Sequence, residues 1–312
     1  TGIGGRKMAR QKEMASTGIK VRKSANDKVF DFFLYLLAAI IIIIVLYPMY
    51  FIVIASISNP ADVSAGNIVL LPKGINFKGY MKLGEYTQLW VGYKNTILYT
   101  LLGTVLSLVV NIPAAYALSR KELCGKKLFT IYYLIPMFFT GGLIPTYLVV
   151  KDFNLLDNFW VMVVPFSVIT YYIIVARTFF NNSIPDDLWE AAQIDGCGNL
   201  NFFFKIVLPL SKAVIAVIAL WTAVGQWNSY FNALIYLRSP ELQPLQLVLR
   251  NILISNQKIS AMTTGAAAVE AKQMADLIKY AIIVISSAPI MCMYPFVQKY
   301  FNQGVMLGSL KG

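Results

Sequence analysis

Histidine is absent from the 312-residue chain, and charged residues make up only 13% of it. Soluble domains carry about 25% charged residues, so this composition indicates a membrane protein. The absence of histidine removes the commonest general base and the commonest zinc ligand. The three cysteines, Cys124, Cys197 and Cys292, are far apart and show no C-x-x-C spacing, which argues against a disulfide framework and a zinc site.

Reactive constellations are missing as well. Neither a Ser/His/Asp nor a Cys/His set can form without histidine. The long apolar runs hold no acidic residue at mid-depth, so a proton relay of the kind used by pumps has no candidate residues. A membrane enzyme is therefore the least favoured class of function.

Six uncharged runs are long enough to cross a hydrocarbon core about 30 Å thick, which takes roughly 20 helical residues. They are Phe32–Ile57, Asn95–Ser119, Leu128–Val150, Asn158–Ala176, Ala213–Leu237 and Tyr280–Gln298. Backbone polar groups in lipid must be paired within their own segment, so runs of this kind form helices. The sequence predicts an all-α membrane protein with six transmembrane helices.

Basic residues near the first two spans predict the orientation of the chain. Eight Lys or Arg lie in residues 1–29 and four more follow the second span, and such clusters face the cytoplasm. An even number of spans then places both termini inside. We predict a cytoplasmic tail over 1–29, a six-helix transmembrane domain over 30–303 and a cytoplasmic tail over 304–312. A patch for nucleic acid or anionic lipid is the alternative use of the N-terminal charge.

A polar segment, 182–209, separates the fourth and fifth predicted spans. Ser183 and Asp186 are spaced as in a capping box. A short helix is expected to end near Gly196, where a left-handed residue is favoured, and a second helix to begin near Asn199. The pattern predicts a cytoplasmic helix-turn-helix with an apolar face and one acid. Such an element suits docking to a partner protein, and a surface-lying connector is the alternative.

Within this segment a signature of fixed spacing occurs. It runs from Glu190-Ala191-Ala192 through three residues to Gly196, and through nine more to Ile206-x-Leu208-Pro209. This resembles the "EAA" signature of permease subunits in binding-protein-dependent ABC importers and matches it at every signature position. The resemblance covers most of the chain beyond residues 1–28. The chain looks most like the carbohydrate branch of this family, which includes the maltose-type importers.

The resemblance implies the type I permease fold and a role for segment 182–209 as a coupling loop. The loop would sit in a cleft of a cytoplasmic ATPase subunit, where Glu190 pairs with a basic residue. Gly196 would allow the sharp turn, and Ala191 and Ala192 would permit close approach. Closure of two ATPase subunits on ATP would then swing the membrane helices between two states.

The resemblance also implies the partners of the chain. They are a second homologous permease subunit, two copies of the ATPase, an extracytoplasmic solute-binding protein, a saccharide and the bilayer, with no nucleic acid. The chain has no G-x-x-x-x-G-K-[ST] phosphate loop, so ATP and Mg would bind to the ATPase and this chain would carry no cofactor. We expect a non-catalytic, multi-pass subunit of a bacterial cytoplasmic membrane. Residues 238–257 would form a loop toward the solute-binding protein, and the tail 304–312 would contact the ATPase pair.

Five residues around the end of the fifth span are candidates for the substrate path, because sugars are bound by planar hydrogen-bonding groups and by aromatic rings. They are Gln226, Trp227, Asn228, Tyr230 and Asn232. The alternative is that these side chains join helices to one another, as Asn and Gln often do in membranes.

Two other transport functions stay open from the sequence. The same importer machinery could carry a peptide, an amino acid or a phosphate ester. A stand-alone secondary transporter is disfavoured, since acids within the spans and a second, inverted half are both missing.

Overall fold

The computed structural model describes residues 25–309, and no β-strand occurs among them. The helices are α1 (Ala25–Ser56), α2 (Pro60–Ser64), α3 (Lys78–Gly84), α4 (Thr87–Ser119), α5 (Lys126–Phe138), α6 (Leu143–Asp152), α7 (Thr170–Ser183), α8 (Asp186–Ile194), α9 (Asn199–Phe202), α10 (Leu208–Leu210), α11 (Lys212–Trp227), α12 (Tyr230–Tyr236), α13 (Leu245–Met262) and α14 (Ala266–Ser309). Two 3-10 turns, Phe159–Met162 and Pro240–Leu242, and a π-helical turn, Phe203–Val207, complete the elements.

The predicted tails fall partly beyond this description. Residues 1–24 of the N-terminal tail and 310–312 of the C-terminal tail lie outside the described residues, and residues 304–309 continue helix α14. The chain divides into two units, Thr1–Ile52 and Val53–Gly312.

Helix α1 supplies the described part of the first unit and the start of the second. Its sequence is an almost unbroken apolar run, and Asp27–Ser56 is long and apolar enough to cross a membrane. This confirms the first predicted span. Branched apolar side chains such as Ile42 and Ile43 are more than half exposed, at 55% and 64%, as expected of a helix that lipid solvates.

Helix α4 is the centre of the second unit, because α7, α11 and α13 all pack against it. Glycines let two of these neighbours approach its backbone, as is usual for helices in membranes. A Cβ on Gly92 would lie 3.1 Å from the Cα of Leu245 in α13. A Cβ on Gly103 would lie 2.6 Å from Nε2 of Gln226 in α11. A larger residue at Gly92 would press on the backbone of α13, whereas one at Gly103 would first displace the Gln226 side chain.

The first half of α4 also carries polar side chains that hold the segment 241–245. Asn95 donates from Nδ2 to the Glu241 carbonyl at 2.7 Å, and the Tyr99 hydroxyl donates to the Leu242 carbonyl at 2.8 Å. The hydroxyl of Thr96 accepts from the first backbone N–H of α13 at 2.7 Å. These bonds satisfy backbone groups that no helix serves, and they fix where α13 begins.

The expectation that residues 238–257 form a loop is wrong, because α13 occupies the segment from Leu245 onward. Four of its five buried side chains recur at helical spacing, namely Leu245, Val248, Leu249 and Ile252, and the fifth is Leu247. Such a stripe packs one face of a helix onto the core and leaves the other face exposed. Only that exposed face, which includes Arg250 and Asn251, is available to a partner.

Asp157 joins the chain before α7 to the chain after α12. Its Oδ1 accepts from the backbone N–H groups of Arg238 and Ser239, both at 2.8 Å, and its Oδ2 accepts from the Ser239 hydroxyl at 2.6 Å. The hydroxyl bond first, and the two backbone bonds after it, lower the pKa of the carboxyl below its ordinary value. The residue has a φ of 51°, a left-handed conformation that Asp adopts more readily than most side chains.

Length and composition identify three to five spans among residues 25–309, where the sequence predicts six continuous helices. The single helices are Asp27–Ser56, Thr87–Ser119 and Ala267–Met293. The second ends where the predicted span Asn95–Ser119 ends, and the third covers most of Tyr280–Gln298. Two bent pairs raise the count to five.

The first bend interrupts the third predicted span, and the second lies just before the fifth, which is broken at a separate point. In Leu128–Val150 the helices α5 and α6 meet at 116°, and Gly142 between them has a φ of 82°. Only glycine adopts that conformation at little steric cost. In Ala213–Leu237 the helix ends at Trp227 and resumes at Tyr230. The pair Asn199–Leu210 and Lys212–Trp227 is bent by 79° at Ser211, two residues after Pro209.

The fourth predicted span, Asn158–Ala176, is wrong as a continuous helix. A 3-10 turn covers Phe159–Met162, and the α-helix begins only at Thr170. Pro165 lies in the gap and has no N–H to donate, which weakens a helical ladder there, although α4 continues through Pro113.

Asn111 of α4 satisfies the backbone at this gap. The residue is fully buried, at 0% exposure. Its Oδ1 accepts from the Ile169 N–H at 3.1 Å, and its Nδ2 donates to the Ser167 carbonyl at 2.8 Å. Broken helices are tolerated in membranes where a neighbouring helix supplies such partners.

Candidate functional site

Segment 182–209 contains two short helices joined by a turn. Helix α8 ends at Ile194, Gly196 has a φ of 73°, and α9 begins at Asn199. The left-handed glycine is therefore confirmed. The capping box is not formed, because α8 begins at Asp186 and no side chain caps its first N–H groups. Acids in its first turn instead lie favourably at the positive end of the helix dipole.

One face of this segment packs against the membrane helices. Its buried side chains are Ile184, Trp189, Ala192, Phe202, Phe203 and Val207. The rings of Trp189 and Phe202 lie with their centroids 4.9 Å apart at 68°, an edge-to-face contact that joins α8 to α9. The ring of Phe203 lies 4.9 Å from that of Tyr116 in α4. The two short helices thus form one packed element attached to α4.

Arg120, the first residue after α4, lies at the centre of this attachment. Its guanidinium carbon is 4.6 Å from the ring centroid of Trp189, 5.7 Å from that of Phe202 and 5.9 Å from that of Tyr116. Glu122 accepts from the Trp189 indole N–H at 3.0 Å and from Arg120 at 3.3 Å. The Arg120 side chain is only 13% exposed, so water weakens these contacts little. We call these five residues the Arg120 cluster.

A second contact joins the α4–α5 connection to the start of α8. The Nζ of Lys121 lies 2.5 Å from Oδ2 of Asp186. Their hydrogen bond lowers the pKa of the Asp186 carboxyl and raises the pKa of the Lys121 amine. In the neighbouring Glu122, a bond from its own backbone N–H lowers the carboxyl pKa, and Arg120 and the Trp189 indole add to this. Both partners of the Lys121 pair are well exposed, so the pair orients α8 more than it stabilises the fold.

The opposite face of the segment is open. Glu190 and Ala191 are exposed, and so are the apolar side chains of Ile194 (87%) and Leu200 (75%). Glu190 makes no ion pair with any residue between 25 and 309. An acid beside exposed apolar side chains on a firmly packed helix is a surface suited to a protein partner.

The predicted coupling residues therefore lie in two environments. Exposed are Glu190, Ala191, Gly196 and Pro209; Ala192 is buried, and Ile206 and Leu208 are half-buried against the core beneath the segment. The exposed set faces outward from the second unit, and the other three residues fix the segment to it.

Two of the predicted path residues are buried between helices. Gln226 packs against Gly103 of α4. The indole of Trp227 donates from Nε1 to the Ser286 carbonyl of α14 at 3.0 Å, and its ring lies 6.4 Å from that of Tyr93. These contacts join α11 to α4 and α14.

The other three path residues lie at or just after the break between α11 and α12, where Asn228 follows Trp227 directly and Tyr230 and Asn232 lie in the first turn of α12. Asn228 is exposed and donates from Nδ2 only to the Val224 carbonyl of its own helix, at 2.9 Å. Tyr230 is 42% exposed and Asn232 is half-buried. At a break between membrane helices, polar groups are free to bind a ligand. Side chains that point from a helix into the core are not.

Sequence reasoning missed the Arg120 cluster and the role of Asn111. From the sequence, Arg120 is only an orientation signal. The usable signal was Trp189, because a buried indole N–H requires an acceptor, and Glu122 is an acid at the end of a neighbouring span. No local signal marks Asn111 as the partner of a segment 56 residues away.

Comparison with known proteins agrees with this geometry. A family model described as "Binding-protein-dependent transport system inner membrane component" matches residues 18–307. The polygalacturonan/rhamnogalacturonan transport system permease protein YtcP of Bacillus subtilis (strain 168) is 35% identical over 291 residues, which covers 92% of this chain and all of the relative. Protein LplC of the same organism is 36% identical over 269 residues, covering 86% of this chain and 90% of the relative.

A solved structure is similar over nearly the same length. It is described as the crystal structure of a bacterial ABC transporter involved in the import of the acidic polysaccharide alginate. One of its chains matches with a TM-score of 0.79 and 35% identity, covering 89% of this chain and 99% of that chain.

These similarities confirm the prediction of a membrane permease of an importer, non-catalytic in itself, with the type I permease fold. They extend over nine-tenths of the chain and are not confined to the coupling signature. The chain belongs to the family of inner-membrane components of binding-protein-dependent transport systems.

Proposed function

We propose that this chain forms part of the membrane path of an ATP-driven importer for an oligosaccharide, delivered by an extracytoplasmic solute-binding protein. The observation that carries the proposal is the 35% identity, over 89% of this chain, to a subunit of an alginate importer. Other relatives are named for polygalacturonan and for maltodextrin. Peptide, amino-acid and phosphate-ester cargoes have no such support.

Within the saccharides we favour an acidic one. Alginate is described as acidic, and polygalacturonan is a polymer of a uronic acid. The residues at the α11–α12 break, Asn228, Tyr230 and Asn232, supply amide and hydroxyl donors that suit both sugar hydroxyls and carboxylates. We propose these three as the part of the predicted path that meets the cargo, with Gln226 and Trp227 holding the helices around it.

The exposed face of α8 is the proposed docking site for the ATPase. Glu190 would pair with a basic residue there, and Ala191 and Ile194 would lie against its surface. Since the Arg120 cluster fixes α8 to the end of α4, a displacement of α8 is passed to the helix that α7, α11 and α13 all contact. The element is a lever, and this chain needs no nucleotide or metal of its own.

In the proposed assembly the chain crosses the membrane six times, with the third, fourth and fifth crossings interrupted. Both termini and segment 182–209 face the cytoplasm. The domain limits remain 1–29, 30–303 and 304–312. A second homologous permease, two ATPase subunits that hold ATP and Mg, and the solute-binding protein complete the importer.

The test is the ATPase activity of the purified importer in lipid, with its solute-binding protein and one candidate cargo at a time. We expect oligogalacturonate to stimulate hydrolysis more than a neutral oligosaccharide of equal length, and a dipeptide to have no effect. Stimulation by the dipeptide and by neither saccharide would overturn the proposal in favour of another cargo. Uptake by this chain reconstituted alone would instead indicate a secondary transporter.

A further inference from the structure

A basic cavity of about 250 Å³ lies between the end of α4, the α4–α5 connection, the end of α7 and the start of α8. Three of its lining residues are basic, Arg120, Lys121 and Lys126, and Asp186 is the one acid among the described residues that line it. Lys121 and Asp186 are well exposed, so the cavity opens to the surface on their side. The cavity therefore has a net positive charge and is accessible to a ligand.

Two of these three cations already have an acidic partner. Arg120 donates to Glu122 at 3.3 Å, and Lys121 pairs with Asp186. Lys126 donates to two backbone carbonyls, both at 3.0 Å, and forms no ion pair with any residue between 25 and 309. One of the three N–H groups of Lys126 therefore stays available, and no carboxylate is bonded to its charge.

Arg177 brings a second unpaired cation to the same place. It lies on α7 one turn before Asn181, which lines the cavity, so the two side chains share a face of that helix. The Arg177 guanidinium is close enough to repel the Lys126 ammonium. Its printed hydrogen bond is a long one, 3.5 Å to the Thr130 hydroxyl, and it forms no ion pair within residues 25–309. Two cations from different helices are thus near one another, and neither is paired with an acid.

The volume and the depth of the cavity limit what it could hold. Its volume of about 250 Å³ lies below the roughly 300–1,000 Å³ of pockets that enclose organic ligands, so it suits a small anion or one headgroup rather than an oligosaccharide. Lys121 and Lys126 lie between two uncharged runs, 95–119 and 128–150, and basic residues at such positions lie at the level of the lipid headgroups. A phosphate has acceptor oxygens on several sides and is able to meet cations from separate helices, whereas a carboxylate presents two oxygens on one side.

We propose that this cavity binds a phosphate group, held by Lys121 and Lys126 on one side and by Arg177 and Asn181 of α7 on the other. The group belongs either to an anionic phospholipid of the surrounding leaflet or to a phosphate in solution, since both reach the level of the headgroups. Bound there, it joins the start of α5 to the end of α7, next to the Arg120 cluster that attaches segment 182–209. The site shares no residue with the predicted cargo path, and the proposal is independent of which cargo the importer carries.

The test measures phosphate binding to the delipidated, assembled importer in the absence of nucleotide. One arm compares phosphatidylglycerol with phosphatidylcholine of the same acyl chains by native mass spectrometry. The other arm measures inorganic phosphate by equilibrium dialysis. Phosphate or lipid that binds to other subunits is common to all variants, so the readout is the change in affinity that substitutions in this chain cause.

Removal of an unpaired cation tests the site directly. We expect Arg177→Gln to weaken the binding of phosphatidylglycerol or of inorganic phosphate about fivefold, because one basic residue near a membrane surface contributes about that factor to the binding of an anion. Lys127→Gln is the matched control, since Lys127 is an exposed basic residue next to Lys126 that does not line the cavity. It should leave both affinities unchanged.

Removal of the competing acid should have the opposite effect. Asp186→Asn frees Lys121 from its carboxylate partner, so we expect it to tighten binding about fivefold. A damaged fold would not produce a gain in affinity. Asp187→Asn is the control, because Asp187 is the next acid of α8, is exposed and does not line the cavity.

The probe that loses affinity in Arg177→Gln identifies the source of the phosphate, which is the lipid if phosphatidylglycerol alone responds and a soluble phosphate if the inorganic ion responds. Equal affinities of wild type, Arg177→Gln and Lys127→Gln for both probes would overturn the proposal. A gain in Asp187→Asn equal to that in Asp186→Asn would overturn it too. The cargoes that stimulate ATP hydrolysis stay the same in all these outcomes, so a failure here is distinguishable from a failure of the proposed function.

Discussion

Arg120 attaches segment 182–209 to the end of α4 in addition to carrying a charge. Its guanidinium contacts three aromatic rings and donates to Glu122, and all of these partners are held by different parts of the chain. We expect Arg120→Met to lower the free energy of unfolding by about 1–2 kcal/mol, because the attraction of a shielded cation to aromatic faces is lost. Thermal denaturation of the purified importer measures this, with Lys127→Met as the control. Equal melting of the two variants would show that packing of Trp189 and Phe202 holds α8 without the cation.

Glu190 lies on the exposed face of α8 and has no acid–base partner within residues 25–309. We expect Glu190→Ala to reduce cargo-stimulated transport more than about tenfold while the chain still inserts in the membrane, because the variant leaves a basic residue of the ATPase unpaired at the interface. Asp195→Ala, an exposed acid of the same loop, should retain transport. A Glu190→Ala importer that couples hydrolysis to uptake at the full rate would contradict the docking role.

Asp157 gives a prediction about pH. Bonds from Ser239 and Arg238 lower its folded pKa below the ordinary 3.8. The ionised form is thus favoured by folding, so its contribution to stability is present above pH 3.8 and is lost as the pH falls through the lowered folded pKa. Asp157→Asn tolerates the same left-handed backbone but cannot accept from the Ser239 hydroxyl with its amide nitrogen. The difference in melting temperature between wild type and variant should shrink as the pH drops toward 3, and a difference that is constant with pH would contradict the assignment.

At the scale of elements, one buried amide supports the interruption of a whole crossing. Asn111→Leu leaves the Ile169 N–H and the Ser167 carbonyl without partners in the core. We expect a loss of about 2–6 kcal/mol of unfolding free energy, from about 1–3 kcal/mol for each of the two buried unsatisfied groups. Asn228→Leu is the matched control, since its amide bonds only within its own helix. Equal stability of the two variants in thermal denaturation would show that water or lipid satisfies the gap.

Local chemistry decided which elements could be predicted from the sequence. The turn at Gly196 was predictable because glycine takes its left-handed conformation at little steric cost. The end of the second span was predictable because the charged Arg120 follows it directly. The break before Thr170 was not, since its composition is as apolar as a helix and its stabilising partner lies in another helix. The Arg120 cluster could not be predicted either, because a basic residue directly after a span is already explained as a signal for the orientation of the chain in the membrane.

On the scale of the whole molecule, the second unit is organised around a helix that has separate contacts along its length. The sequence contains no phosphate loop for ATP, so we expect the chain to be inert by itself. We expect it to co-purify with a second permease and two ATPase subunits, and to show ATP-dependent uptake only in their presence. Reconstitution of the chain with and without these subunits measures this, and uptake without them would contradict it.

Helix α4 has 33 residues, about 50 Å at 1.5 Å per residue. Near one end, the segment that begins α13 is held by hydrogen bonds to Asn95, Thr96 and Tyr99. Just beyond the other end, the guanidinium of Arg120 packs on the ring of Trp189. A helix that is held at both ends transmits a displacement from either end to the other. In the proposed assembly, any coupling free energy between binding of the solute-binding protein near α13 and binding of the ATPase at α8 acts equally in both directions. In that assembly, binding of cargo and binding of nucleotide both depend on the same displacement of α4.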